Sequence, residues 1–290
     1  LKAASYASLI VALGLTALKA WAWTATDSVS LLSSLADSVL DVLASALTFW
    51  AVRFSLQPAD REHRFGHGKS EGLAALIQSL VISASGLFVL SEAIQRILEP
   101  RPISAPELGI GVMIVATVVT LALVTFQQYV GRRTGSVAIT ADAMHYKTDV
   151  LVNLGVAAAI VLTSWTGWVL ADPLVGLAVA AYIIRGALSI LGESLDILLD
   201  REIPDRDREA IMELAREHPE VHGLHDMKTR FGGNHYIVQF HLELNPELSL
   251  WRSHEILDEV EASIQSRYPS CEIIIHPDPI GFPEPREIYD

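Results

Sequence analysis

Asp37 and Asp41 stand four residues apart inside an apolar segment, Leu31 to Trp50, that contains no Lys or Arg. On a helix that spacing puts both carboxylates on one face. The segment is long enough to cross a bilayer, which takes about 20 residues. A carboxylate at the centre of such a span costs roughly 2.5–3.5 kcal/mol even on the lenient insertion scale. Two acids on one face therefore require a common partner. His145 and Asp149, in His145-Tyr-Lys-Thr-Asp149, repeat the spacing far along the chain in another apolar segment. Three carboxylates and one imidazole supply the number of ligands a tetrahedral divalent cation takes, so Asp37, Asp41, His145 and Asp149 are read as one buried metal site. A plain hydrogen-bonded core would leave three acids needing protons or cations, with Lys147 as the only nearby base. Asp142, three residues before His145, is placed to face the same cavity or to hold the imidazole.

The rest of the chain suits a membrane setting. It is 51% hydrophobic and only 19% charged over 290 residues, with mean hydropathy +0.35, too apolar for an ordinary soluble domain. Apolar spans are predicted at 4–24, 30–53, 69–96, 106–131, 137–164 and 172–198. The first could pass for a signal peptide, but further spans follow at once and it is read as an uncleaved helix. Because the chain opens on Leu1 rather than Met, a few native residues are expected to precede it. Six spans put both ends on one side. Arg53, Arg61, Arg64, Lys69, Arg132, Arg133 and Arg201 lie on that side, whereas the links 25–29 and 165–171 carry no Lys or Arg and 97–105 carries Arg101. The positive-inside rule then makes both termini cytoplasmic.

Residues 1–200 are thus expected to form a six-helix transmembrane domain and residues 201–290 a cytoplasmic domain. The latter holds 19 acids against 9 bases, most of the chain's net charge of −13. Asp205 can cap a helix running to about Glu217, which Pro219 stops. Strands are read at Val221–Arg230 and Tyr236–Leu244 around the turn signal Gly232-Gly233-Asn234, a helix over Ser249–Tyr268, and a short strand at Glu272–His276. The order α-β-β-α-β gives a small α+β domain whose sheet is covered by helices. After Ile280, with Pro283 and Pro285, a loose end is expected. No basic patch invites nucleic acid.

Two further clusters have metal chemistry. The loop Asp60-Arg-Glu-His63-Arg-Phe-Gly-His67 offers one carboxylate and two imidazoles, three corners of a zinc site, and Gly66 and Gly68 let the backbone fold tightly around an ion. In the tail stand His225, His241, His254, His276 and Asp278; His276 and Asp278 alternate along one strand and can reach one ion. The single cysteine, Cys271, excludes an intrachain disulfide or a thiolate cage. His218, His222 and His235 are read as solvated turn residues. An intramembrane protease would need its two aspartates on facing helices or a His-Glu-x-x-His run, and a pure metal sensor would not explain acids inside the bilayer.

These motifs, in this order, resemble the cation diffusion facilitator family: Asp37-Ser-Val-Leu-Asp41, Gln57-Pro-Ala-Asp60, His63-Arg-Phe-Gly-His67-Gly-Lys69, His145-Tyr-Lys-Thr-Asp149, Leu198-Leu-Asp200-Arg201 and Ile275-His276-Pro-Asp278-Pro279. The resemblance implies a homodimeric secondary transporter, not an enzyme, in the bacterial cytoplasmic (inner) membrane. It would expel Zn²⁺ or Fe²⁺, with Cd²⁺ as an alternative, in exchange for protons by alternating access. It implies that Asp37, Asp41, His145 and Asp149 form the transport site and that Asp60, His63 and His67 bind metal in the loop. In a metallochaperone-like tail domain it implies a two-ion site at the dimer interface, with His225 and His241 on one ion, His254 and His276 on the other, and Asp278 bridging. Lys69 and Asp200 would form a charge interlock between protomers. Pro277 departs from the family pattern, where a polar residue is expected.

Overall fold

The computed structural model describes residues 1–26, 29–98, 107–166, 170–233 and 235–281. Asn234 of the expected turn, Arg101 in its link and the expected loose end at 282–290 lie outside these. The chain divides into two compact units, Leu1–Leu195 and Asp196–Asp290.

Among the described residues, the first unit holds six helices: α1 (Lys2–Thr26), α2 (Val29–Ser55), α3 (Ser70–Leu98), α4 (Glu107–Thr134), α5 (Val137–Thr166) and α6 (Ala171–Leu198, its last turn falling in the second unit). Among the described residues five of them, all but α5, are long and apolar enough to cross a membrane. α5 is as long, at 30 residues, but carries Asp142, Lys147 and Asp149 in its first half. The outer faces of the bundle are broadly apolar: Phe88, Leu121 and Leu188 all point outward, as surfaces in contact with lipid tails require.

α1 packs along α2, α4 along α5, and α1 against α4, with α2 also touching α5. α3 lies against α2 and α5. Small residues make the closest approaches, as is common where helices meet without a hydrophobic drive. Ala4, Ala51, Ala74 and Ala138 are buried together, and Gly86 of α3 sits so near α6 that a Cβ there would meet Ile184 at 2.9 Å and Ile183 at 3.0 Å. Polar side chains tie the helix ends. Buried Glu71, at the start of α3, accepts hydrogen bonds from Ser55 of α2 (2.9 Å) and from Ser136, just before α5.

The second unit contains α7 (Asp205–Arg216), β1 (Gly223–Phe231), β2 (Tyr236–Leu244), α8 (Leu250–Arg267) and β3 (Glu272–Pro279). The expected order stands, with one cap relocated: the N-cap of α7 is Pro204, and Asp205 is the first residue of the helix. α8 starts behind Ser249, whose hydroxyl accepts from the Arg252 N–H. The sheet order is β1-β2-β3, with β1 antiparallel and β3 parallel to β2. β2 alternates strictly over its second half. Val238, Phe240, Leu242 and Leu244 enter the core under Ile211, Ile256, Val260 and Ile264 of the two helices, so Gln239, His241 and Glu243 lie on the opposite face. β3 runs to Pro279, three residues beyond the predicted end at His276. Parallel pairing with β2, which extends to Leu244↔Pro279, holds those residues in the strand.

Because Gly86 has no room for a side chain against α6, Gly86→Val should weaken the α3–α6 contact by about 1–3 kcal/mol. A lowered thermal midpoint of the detergent-solubilised protein, with the tail's circular dichroism unchanged, is the expected result.

Candidate metal centres

Among the described residues, three clusters of ligand-type side chains form. In the helical unit, His145 Nε2 lies 3.1 Å from Asp41 Oδ1. Asp41, His145 and Asp149 each offer an atom within 4.8 Å of the others. α2 supplies the first and α5 the other two, one helical turn apart. Asp37 is one turn earlier on α2, exposed and outside the group of three. The bases behave differently from expectation. Lys147, read from sequence as the nearby base, donates to the Tyr182 hydroxyl of α6 and stacks over its ring at 4.8 Å. Lys19 of α1, which the sequence did not single out, donates to Ser38 Oγ at 2.6 Å, in the turn between Asp37 and Asp41.

Asp142 does not serve His145 by hydrogen bond. It is fully buried and accepts from Ser8 Oγ (2.5 Å), Gln127 Nε2 (2.5 Å) and Gln78 Nε2 (3.3 Å). Ser8 also meets Ser45 at 2.8 Å, and Ser45 meets the Tyr146 hydroxyl at 2.7 Å. Donors from α1, α3 and α4 thus converge on one carboxylate of α5, which is how a charged or polar group is made tolerable in an apolar interior. This knot fixes the turn of α5 that carries His145. Its signal in the sequence was Gln78 and Gln127, two amides inside apolar spans.

In the loop between α2 and α3, Asp60 Oδ1 accepts the backbone N–H groups of Glu62 (2.9 Å) and His63 (2.7 Å). Its carboxylate lies 3.4 Å from His63 Nδ1 and 3.3 Å from His67 Nε2. The two rings are 4.6 Å apart, and His67 is buried edge-on against Phe54 at 4.4 Å. Gly66 takes φ +79°, the left-handed turn that brings His67 back to Asp60. Asp60, His63 and His67 therefore do converge.

In the tail, strand register makes the cluster. His225 pairs with His241 across β1–β2, and His241 with His276 across β2–β3. Three imidazoles thus form a row across the uncovered face, with ring centroids 5.2 and 4.7 Å apart. Asp278, buried two residues beyond His276, reaches His241 Nδ1 at 2.8 Å, His225 Nε2 at 3.2 Å and His276 Nε2 at 3.3 Å. A bulge after His225, with Asp226 at φ +47°, adds Asp226 as a further ligand-type group, and Glu243 stands 3.5 Å from His225. Neither acid was foreseen. His254 is not gathered here; it lies exposed on α8, 3.7 Å from Asp258. Lys69 and Asp200 belong to different units, and within its own unit Asp200 pairs with Arg230 at 3.3 Å.

Two family models match the chain: the cation efflux transmembrane domain over residues 5–199 and the cytoplasmic domain of cation efflux proteins over 203–280. The chain belongs to the cation diffusion facilitator family. A cation-efflux pump FieF of Salmonella arizonae is 44% identical over 285 residues, covering 98% of this chain and 94% of the relative. The FieF pump of Salmonella choleraesuis is likewise 44% identical, over 284 residues, with 98% and 94% covered. Among solved structures, the metal-bound C-terminal domain of the CzcD transporter from Thermotoga maritima covers 27% of this chain and 93% of its own, at 22% identity and TM-score 0.27. This cation diffusion facilitator is therefore a multi-pass membrane transporter of cations and not an enzyme.

The backbone N–H of His63 above all, with that of Glu62 and the two imidazoles adding, outweighs desolvation and holds the Asp60 carboxyl below the usual carboxylate range. A depressed value means that its hold on the loop is present at neutral pH and is lost as pH falls through that value. An NMR titration of the Asp60 carboxyl should give a midpoint below that of an unstructured aspartate, and Gly66→Ala should move it back up.

Proposed function

We propose that this transporter expels a divalent cation, Zn²⁺ or Fe²⁺ with Cd²⁺ as an alternative, from the cytoplasm in exchange for protons. The observation that carries the reading is the meeting of Asp41, His145 and Asp149 from two helices inside an apolar bundle. Asp37, one turn along the same helix, is the fourth ligand, completed when a cation draws its side chain in.

Ligands must be deprotonated to hold a metal, so cation and protons compete for one set of atoms. Histidine exchanges protons near neutral pH in its ordinary range. In the inward-open state the cation displaces protons from the site; after the bundle rocks outward, external protons displace the cation. The knot at Asp142 keeps α5 in register during that exchange. Both termini lie in the cytoplasm of a bacterium whose inner membrane holds the protein.

The loop and tail clusters are proposed as further metal sites. Asp60, His63 and His67 bind an ion beside the cytoplasmic end of α3. His225, His241, His276 and Asp278 bind two ions in a homodimer, with His254 joining His276, and Lys69 with Asp200 locking the protomers near the membrane. Filling these sites as cytoplasmic metal rises would bias the dimer toward transport, a coupling between distinct sites.

Metal flux into proteoliposomes under a pH gradient tests the core of this. Asp41→Ala and Asp149→Ala should each abolish Zn²⁺-driven proton movement, and normal flux in either would remove the site assignment. Selectivity gives a second handle, because one imidazole among carboxylates favours zinc over manganese. In His145→Asp, Mn²⁺ should compete with Zn²⁺ at least about tenfold better than in the native protein; unchanged competition would count against the imidazole as a ligand.

A further inference from the structure

The proposed site leaves a charge unaccounted for. Asp37, Asp41 and Asp149 together carry three negative charges, a divalent cation cancels two, and a neutral His145 cancels none. One negative charge would then remain inside an apolar bundle, where uncompensated charge is costly. The compensating group cannot be Lys147, whose ammonium is turned to the Tyr182 hydroxyl and ring on α6.

Lys19 has the right position. It lies within α1, in a span long and apolar enough to cross a membrane, where a lysine is as anomalous as the acids. It is half-buried and donates to Ser38 Oγ at 2.6 Å; Ser38 is itself buried and stands one residue after Asp37 and three before Asp41. Thr16, one turn earlier on α1, bonds the Ser38 carbonyl at 3.1 Å, so two contacts fasten this part of α1 to the ligand-bearing turn of α2. The Lys19 ammonium therefore sits at the α2 turn that carries two of the acids, bonding to a hydroxyl between them.

We propose that Lys19 is the fixed counter-charge of the transport site, making the cation-loaded site electrically neutral and keeping its hold on the cation weak enough for release. A permanent positive charge beside the site repels a divalent cation, and a transporter needs binding that is favourable enough to load and loose enough to unload. Lys19 thus acts as a positioning and affinity-setting residue that touches no cargo. Ser38 is its anchor: the short bond to the hydroxyl holds the ammonium on the α1 side and stops it from filling the cation's place. The inference rests on the reading of Asp37, Asp41, His145 and Asp149 as the transport site.

The test uses full-length protein in which Asp60→Ala, His63→Ala and His67→Ala remove the loop cluster and His225→Ala, His241→Ala and His276→Ala remove the tail cluster, leaving the membrane site to bind Zn²⁺. On that background Lys19→Met and Lys19→Gln should bind Zn²⁺ about tenfold or more tightly, since a unit charge has been removed from beside a dication in a poorly screened site. Both should lower the KM for Zn²⁺ flux and lower the maximal rate, because release slows. Lys19→Arg, which keeps the charge, should stay within about threefold of the parent in affinity. A purely structural lysine would lose rate without tightening binding, so unchanged or weaker Zn²⁺ affinity in both neutral variants would overturn the proposal. Asp41→Ala on the same background separates the two readings: if it still binds Zn²⁺ as the parent does, the site assignment has failed, whereas its loss of binding alongside unchanged Lys19 variants rejects the counter-charge alone.

Discussion

Charge inside an apolar bundle must be balanced by whatever lies next to it, and much of this protein's helical unit is arranged around that requirement. Asp142 is balanced by neutral donors: Ser8, Gln78 and Gln127 converge on it from three helices. Asp41 and Asp149 are not treated in that way. They meet each other and His145, an arrangement that is unfavourable unless a cation or protons enter. Asp142 and Asp149 stand on the same helix, about two turns apart, and have opposite environments. One is surrounded by hydroxyl and amide donors, and the other lies beside a second carboxylate and an imidazole. That contrast is the physical basis for reading the second as part of the working site of a cation transporter.

The tail solves the same problem with a different geometry. A sheet needs one covered face, and β2 supplies it with Val238, Phe240, Leu242 and Leu244. Its other face is then free to hold polar residues at every second position. Strand pairing does the rest. Because His225, His241 and His276 occupy one row across three strands, their rings stand side by side, and Asp278 is held by backbone register within reach of all three. No side chain has to search for its neighbours.

How far these features could be read in advance depended on whether the signal was local. The six helices, the α-β-β-α-β order and the pairing of ligand-type residues one turn apart within α2 and within α5 were legible because apolar length, turn residues and four-residue spacing act over one or two turns of chain. The loop cluster was legible for the same reason, since Asp60, His63 and His67 close a single turn. That Asp41 meets His145 and Asp149 was inferred from the cost of unpaired acids in apolar spans. Other features depended on contacts between distant segments. The local apolar run ends β3 at His276, yet parallel pairing with β2 carries the strand to Pro279. Asp226 and Glu243 gave no sign of joining the histidines until a bulge and a register brought them there. Lys147 looks like the base near the acids because it is near them in sequence, while the helix turns it toward Tyr182.

The sequence by itself determined that this chain crosses a membrane, that it carries acids where acids are expensive, and that a small acidic α+β domain follows. Those conclusions need only hydropathy, spacing and charge, which are properties of segments. Only the tertiary structure decided which partner each polar group receives. Whether Asp142 is quenched, whether Lys147 turns to Tyr182 and Lys19 to Ser38, and which acids stand beside the tail histidines are set by helix rotation and strand register. Both are fixed by packing against other elements, such as Tyr146 under Ser45 or Phe240 under Ile256, and packing is a property of the whole chain rather than of any stretch of it.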